Sequence, residues 1–104
     1  MIRHRLPDRR RGETFTFEHD GISYRANVSR FADGRLNEIF LNGGKKPNTA
    51  VAVIGHDLAV TASLALQHGC PVGTLRKALL RLSNGSAAGP LGRLLDLAEE
   101  GRAS

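Results

Sequence analysis

The sequence predicts an α+β fold, three strands followed by three helices, and three observations carry that reading. Residues 13–31 alternate apolar and polar side chains with the period of two that a half-buried strand needs. Residues 50–82 and 90–100 instead repeat apolar side chains three and four apart, the helical period. A segment holding two glycines and a proline, Asn42 to Asn48, divides the two regimes, so strands and helices are segregated along the chain.

The first strand, 13–19, sets Phe15 and Phe17 on one face and Thr14, Thr16 and Glu18 on the other. Asp20-Gly21 is a two-residue hairpin signal, because both residues tolerate positive φ. In the second strand, 22–31, Ile22, Tyr24, Ala26 and Val28 face inward, and Ser23, Arg25, Asn27 and Ser29 outward. Ala32 to Arg35 reads as a turn with Gly34 left-handed, the type I turn plus bulge. The third strand, 35–41, puts Leu36 and Phe40 on one face and Ile39 and Leu41 on the other. A strand apolar on both sides needs cover on both sides, from the helical layer or from another chain. The expectation of a homo-oligomer through the third strand rests on that point.

Asn48 or Thr49 can cap the next helix, about 50–67. Its stripe is Val51, Ile54, Leu58, Ala62 and Ala65, widened by Val53, Val60, Leu64 and Leu66, so it is expected to be largely buried. Gly69 and Pro71 end it. A second helix, about 72–82, carries Val72, Leu75, Leu79 and Leu82. Ser86 to Gly89 reads as a flexible link, and a third helix spans about 90–100 with Leu91, Leu94, Leu95 and Leu97.

A chain of 104 residues fits one domain, placed at 13–101, after a flexible basic arm at 1–12. The net charge of +5 is concentrated in that arm: within residues 1–11 Arg3, Arg5, Arg9, Arg10 and Arg11 stand against Asp8, leaving ten basic and nine acidic residues for the other 93. Such an arm can contact phosphates without sequence specificity. No apolar run approaches the roughly 20 residues that cross a bilayer. The N-terminus lacks the apolar core of a signal peptide, and the single cysteine, Cys70, excludes an internal disulfide. A cytoplasmic protein with no membrane association is therefore expected.

Few constellations suit catalysis. Cys70 has His68 two residues away, a spacing that does not bring side chains together on a helix, and no acidic residue is placed to orient the imidazole. His56, His68 and Cys70 match no metal-ligand spacing. Gly43-Gly44-Lys45-Lys46 lies between a strand and a helix, the order that suits anion binding, but adjacent glycines and a Lys-Pro ending are not a Walker loop. The aromatic residues sit mostly at core-facing strand positions rather than among basic ones.

Residues 28–82 carry a more specific pattern. Val28-Ser29-Arg30-Phe31-Ala32-Asp33-Gly34-Arg35 is followed by Glu38-Ile39-Phe40-Leu41-Asn42-Gly43-Gly44-Lys45. Then come a helix ending Ser63-Leu64-Ala65-Leu66-Gln67-His68-Gly69, and Pro71 to Leu75. This combination resembles the TSCPD domain, which is appended to the C-terminal end of many vitamin-B12-dependent ribonucleotide reductases. The Thr-Ser-Cys-Pro-Asp string that names the family is absent, as is a C-terminal cysteine pair. Reduction of a ribonucleotide needs a thiyl-forming cysteine and a redox pair, and one cysteine cannot supply three. The resemblance implies a non-catalytic accessory module, without metal or cofactor, that binds a ribonucleotide reductase or a nucleotide. Its surface would be Arg30, Arg35, Asn42, Gly43, Gly44, Lys45 and Lys46. The alternative is a nucleic-acid binder acting through Arg3, Arg5, Arg9, Arg10 and Arg11.

Overall fold

A computed structural model describes residues 11–46 and 48–103. Three strands, β1 (Arg11–His19), β2 (Ile22–Arg30) and β3 (Leu36–Gly43), form an antiparallel sheet in the order β1-β2-β3. Three helices follow: α1 (Ala50–Gln67), α2 (Val72–Ala78) and α3 (Pro90–Ala103). The predicted α+β order is the observed one. Residues 1–10 of the expected arm lie outside the described residues, whereas Arg11 and Gly12 pair with Arg30 and Ser29 in β1.

Two turns set the register. Asp20 and Gly21 both take positive φ, 51° and 76°, so His19 pairs directly with Ile22 and the ladder runs unbroken to Arg11↔Arg30. At the second turn Phe31 N–H donates to Arg35 C=O at 2.8 Å, and Gly34 sits at φ 92°. The pairing then slips. Ser29 faces Glu38 but Arg30 faces Leu36, which leaves Asn37 as an extra residue. That bulge corrects the expected facing of β3. One extra residue shifts the alternation by one, so Leu36 joins Ile39 and Leu41 on the buried face, and only Phe40, 45% exposed, is left outside.

The free edge of β3 is closed by α1. Ser63 Oγ accepts from Ile39 N–H at 2.8 Å. Its single proton has two acceptors in reach, Ala59 C=O at 2.7 Å and Ile39 C=O at 3.1 Å. One turn on, Gln67 Nε2 donates to Asn37 C=O at 2.7 Å. Such bonds require close approach, and the helix presents its small side chains to the strand: Gly55, Ala59, Ala62 and Ser63 are buried with Leu66 and Gln67. The expected stripe is therefore rotated. Ile54 is 58% exposed, and Val53, Val60 and Leu64 are also exposed. A mean hydropathy of 1.4 over its 18 residues gives α1 the character of a short membrane span by length and composition, although one face is spent on the sheet.

Two buried polar clusters hold the other helices. Arg30, 8% exposed, donates to Glu13 at 2.8 Å, to the Gly34 carbonyl at 3.0 Å, to Glu99 at 3.3 Å and to the Ala98 carbonyl at 2.9 Å. It joins β1, the second turn and α3. Asp96 on α3 accepts from Arg81 at 2.6 and 2.8 Å and from Arg76 at 2.9 Å. The second cluster also explains why α2 ends at Ala78 rather than 82. Leu79 turns extended, Arg81 bridges Ala87, and Leu82 N–H donates to Ser86 C=O. The link expected to be flexible, Ser86 to Gly89, is thus tied back to residues 80–82 across a turn at Asn84-Gly85, and Ala87 is buried close to Gly92 of α3. The core joins Tyr24, Ala26, Val28, Leu36, Ile39 and Leu41 of the sheet to Ala59, Ala62 and Leu66 of α1 and Leu91, Leu94, Leu95 and Ala98 of α3.

Ser63→Ala leaves the outward peptide groups of Ile39 unbonded next to a methyl group. A loss of about 1–3 kcal/mol in unfolding free energy is expected by urea denaturation. The hydrogen bonds from Arg81, reinforced by Arg76 against the opposing effect of burial, hold the Asp96 carboxyl down at about 2. The folded value lies below the unfolded one, so this stabilisation is complete above pH of about 4 and is lost as pH falls through 2. Asp96→Asn is expected to cost about 2 kcal/mol at neutral pH and to flatten the acid limb of the stability curve.

Candidate functional site

The residues singled out from the sequence fall at two ends of the sheet. Arg30 and Arg35 lie at the N-terminal end of β3, and Asn42 to Lys46 at its C-terminal end. Six strand residues, Leu36 to Leu41, separate Arg35 from Asn42, about 23 Å along the strand. Arg30 is turned inward and engaged by its four partners. Arg35 is exposed, paired with Asp33 at 2.7 Å, and lies 5.1 Å above the Phe31 ring.

At the other end Asn42 pairs across the sheet with Arg25, and Gly44 N–H donates to Ser23 C=O at 3.0 Å. Gly43 is buried for a steric reason: a Cβ there would stand 2.5 Å from Tyr24 Cε1 and 2.9 Å from Val51 Cγ1. The absence of a side chain admits the Tyr24 ring, whose phenol is pushed up by burial and by the nearby Asp20 carboxylate. Gly44, Lys45 and Lys46 are exposed, and Thr49 caps α1 by accepting from Ala52 N–H at 3.2 Å. An open hollow of about 360 Å³ lies here, lined by Thr16, Ser23, Arg25, Asn42, Gly44 and Lys45. Arg25 brings a cation to this end that the linear order does not place beside Lys45. Only the strand register reveals it, although the outward phase of Arg25 was readable.

A larger groove, of about 570 Å³, runs between α1 and the outer face of the sheet. Phe40, Val60 and Leu64 form its apolar wall, and Asn27, Ser29 and Glu38 its polar one. Phe40 meets the His56 ring edge-on at 6.3 Å. Gln67 lines the groove and is fully buried, and its Oε1 has no hydrogen-bond partner among the described residues. The carboxamide of the buried Asn37 is likewise unpartnered. Helix periodicity alone concealed this wall, because it assigned Val60 and Leu64 to the core.

Cys70 is partly exposed, with Sγ 3.6 Å from the Pro71 carbonyl, and edges an apolar cleft that includes Phe31, Arg35 and Leu66. Among the described residues no group of three metal-ligating side chains converges. Arg3, Arg5, Arg9 and Arg10 lie outside the described residues, and Arg11 opens β1.

No protein-family model matches the chain, and no solved structure does. Two curated proteins do: the vitamin B12-dependent ribonucleotide reductases of Agrobacterium fabrum and Bradyrhizobium diazoefficiens. Each is 34% identical over 70 residues, which is 67% of this chain but 5% and 6% of those enzymes. The chain thus spans about a twentieth of the length of the relatives it matches. It is a ribonucleotide-reductase-related module of small α+β fold.

Gly43→Ala drives a methyl group into Tyr24 and Val51. It is expected to destabilise the protein by about 1–3 kcal/mol, seen as a lower urea midpoint at unchanged slope.

Proposed function

We propose that the chain is a non-catalytic accessory module of ribonucleotide reduction, which docks on a reductase polypeptide through the groove walled by Phe40, Val60 and Leu64. The match to a twentieth of a reductase carries this reading. The apolar wall is exposed, as a surface that receives another polypeptide would be. A single thiol argues against the chain performing the reduction by itself.

The test uses the reductase of Agrobacterium fabrum, intact and with its matched segment deleted, titrated with the chain by calorimetry. Binding to the truncated enzyme, weakened at least tenfold by Phe40→Asp and Leu64→Asp, is the expected result. No binding to either form would refute the proposal.

A second reading rests on the hollow at Arg25 and Lys45: these cations, with Lys46 and the Asn42 side chain, would receive the phosphates of a nucleotide. A nucleoside di- or triphosphate at 100 times its dissociation constant should then stabilise the fold by about 2.7 kcal/mol. Arg25→Ala and Lys45→Ala would abolish the thermal shift. The nucleic-acid alternative predicts binding that falls steeply with salt and is lost on deleting residues 1–10.

A further inference from the structure

We propose that the chain self-associates edge to edge: β1 of one copy pairs antiparallel with β1 of a second about a two-fold axis at Thr16, giving a continuous six-stranded sheet. The inference is independent of reductase docking. Its starting point is an asymmetry between the two edges of the sheet. The β3 edge is closed by Ser63 and Gln67. Among the described residues the β1 edge has no strand beside it, and no other backbone group bonds to it.

Parity shows what that edge offers. His19 and Ile22 flank a two-residue turn and form a bonded pair, so odd-numbered residues of β1 bond to β2. The N–H and C=O groups of Gly12, Thr14, Thr16 and Glu18 therefore point outward. The same alternation carried across β2 points the peptide groups of Ile39 outward from β3, where Ser63 bonds them. Of the usual protections the open edge carries only two carboxylates, Glu18 and the Arg30-bonded Glu13. Residues 12–18 contain no proline, no lysine and no bulge, and Thr-Phe-Thr-Phe favours the extended chain. Phe15 and Phe17 are only partly buried, because the helical layer lies chiefly over β3.

The side chains select a second copy of this chain and one register. A two-fold at Thr16 bonds Thr16 to its own counterpart and Thr14 to Glu18. In the close, non-bonded pairs it sets Phe15 against Phe17 of the second copy, twice over, and it sets Glu13 against His19. Shifting the axis to Phe15 would oppose Phe17 to Glu13 and Arg11 to His19. Shifting it to Phe17 would keep one aromatic pair and oppose Phe15 to His19. The axis at Thr16 alone matches apolar with apolar and opposes no like charges. It also closes: both outer edges of the six-stranded sheet are then β3, each shut by its own α1, so growth stops at the dimer.

Sedimentation equilibrium on the full chain tests this, with a mass twice the 11.2 kDa of one copy expected at micromolar concentration. Thr16→Pro removes only an outward N–H, leaving the β1–β2 ladder and the far-ultraviolet dichroism intact, and should raise the dissociation constant at least tenfold. In a Cys70→Ser background, Thr16→Cys should form a disulfide-linked dimer on oxidation, because the roughly 5.5 Å Cα spacing of a bonded pair suits a disulfide. Phe40→Asp should leave the dimer unchanged. A monomer throughout, a dimer indifferent to Thr16→Pro, or a dimer lost in Phe40→Asp would overturn the proposal. Should Thr16→Pro fail to fold, absence of the Thr16→Cys cross-link would do the same.

Discussion

The hydroxyl of Ser63 sits where the main constraint on this fold is met. A three-stranded sheet has one face to bury and an edge on either side, and a buried edge with unbonded peptide groups costs more than the packing above it returns. Helix α1 meets both demands on β3. Its small residues bring the axis close, and Ser63 and Gln67 then replace the missing fourth strand at Ile39 and Asn37. The rotation of α1 follows from this. A helix set to bury Ile54 would carry Ser63 away from the strand, so the bulkier Val53, Ile54, Val60 and Leu64 are left toward solvent.

Buried charge does for α3 what Ser63 does for α1. Arg30 uses its guanidinium fork to tie β1, a turn and α3 together, and Asp96 draws Arg76 and Arg81 onto α3 from the preceding segment. A planar fork reaching several acceptors at once is specific in a way that an apolar contact is not. Such clusters orient the short helices, which on their own lengths are marginal. They also reassign charge: Arg30, Arg76 and Arg81 serve the interior and its margin, so the basic surface at the Lys45 end depends on fewer residues than composition suggests.

The relation to vitamin B12-dependent ribonucleotide reductases lies in a segment that forms a small part of those enzymes. The chain presents several surfaces. Here they are distinct: an apolar groove beside α1, a basic hollow at the end of β3, and an open strand at β1. The apolar groove and the open strand share no residue, so docking and self-pairing need not compete, whereas the basic hollow reaches Thr16 on that strand.

Order and type of element were legible in the sequence, because alternation at Phe15 to Val28 and helical spacing at Val51 to Leu66 are local properties of backbone geometry. The hairpin turns at Asp20-Gly21 and Gly34 were legible for the same reason. The Gly-Lys loop was legible as a strand-to-helix connection, but its neighbour Arg25 was not, since a cross-strand partner depends on register. Periodicity could not foresee the bulge at Asn37, which returned Leu36 to the core, nor which side of α1 would face the sheet. It put Arg30 in phase with the inward face of β2 but could not foresee the four partners that hold it there. Those outcomes turn on contacts between residues far apart in the chain, where hydrogen bonding at an edge and the reach of a guanidinium outweigh local apolar pattern. The sequence by itself determined which segments are strands and helices. Only the tertiary structure decided which faces of β3 and α1 are buried, because burial is shared between elements while periodicity belongs to one.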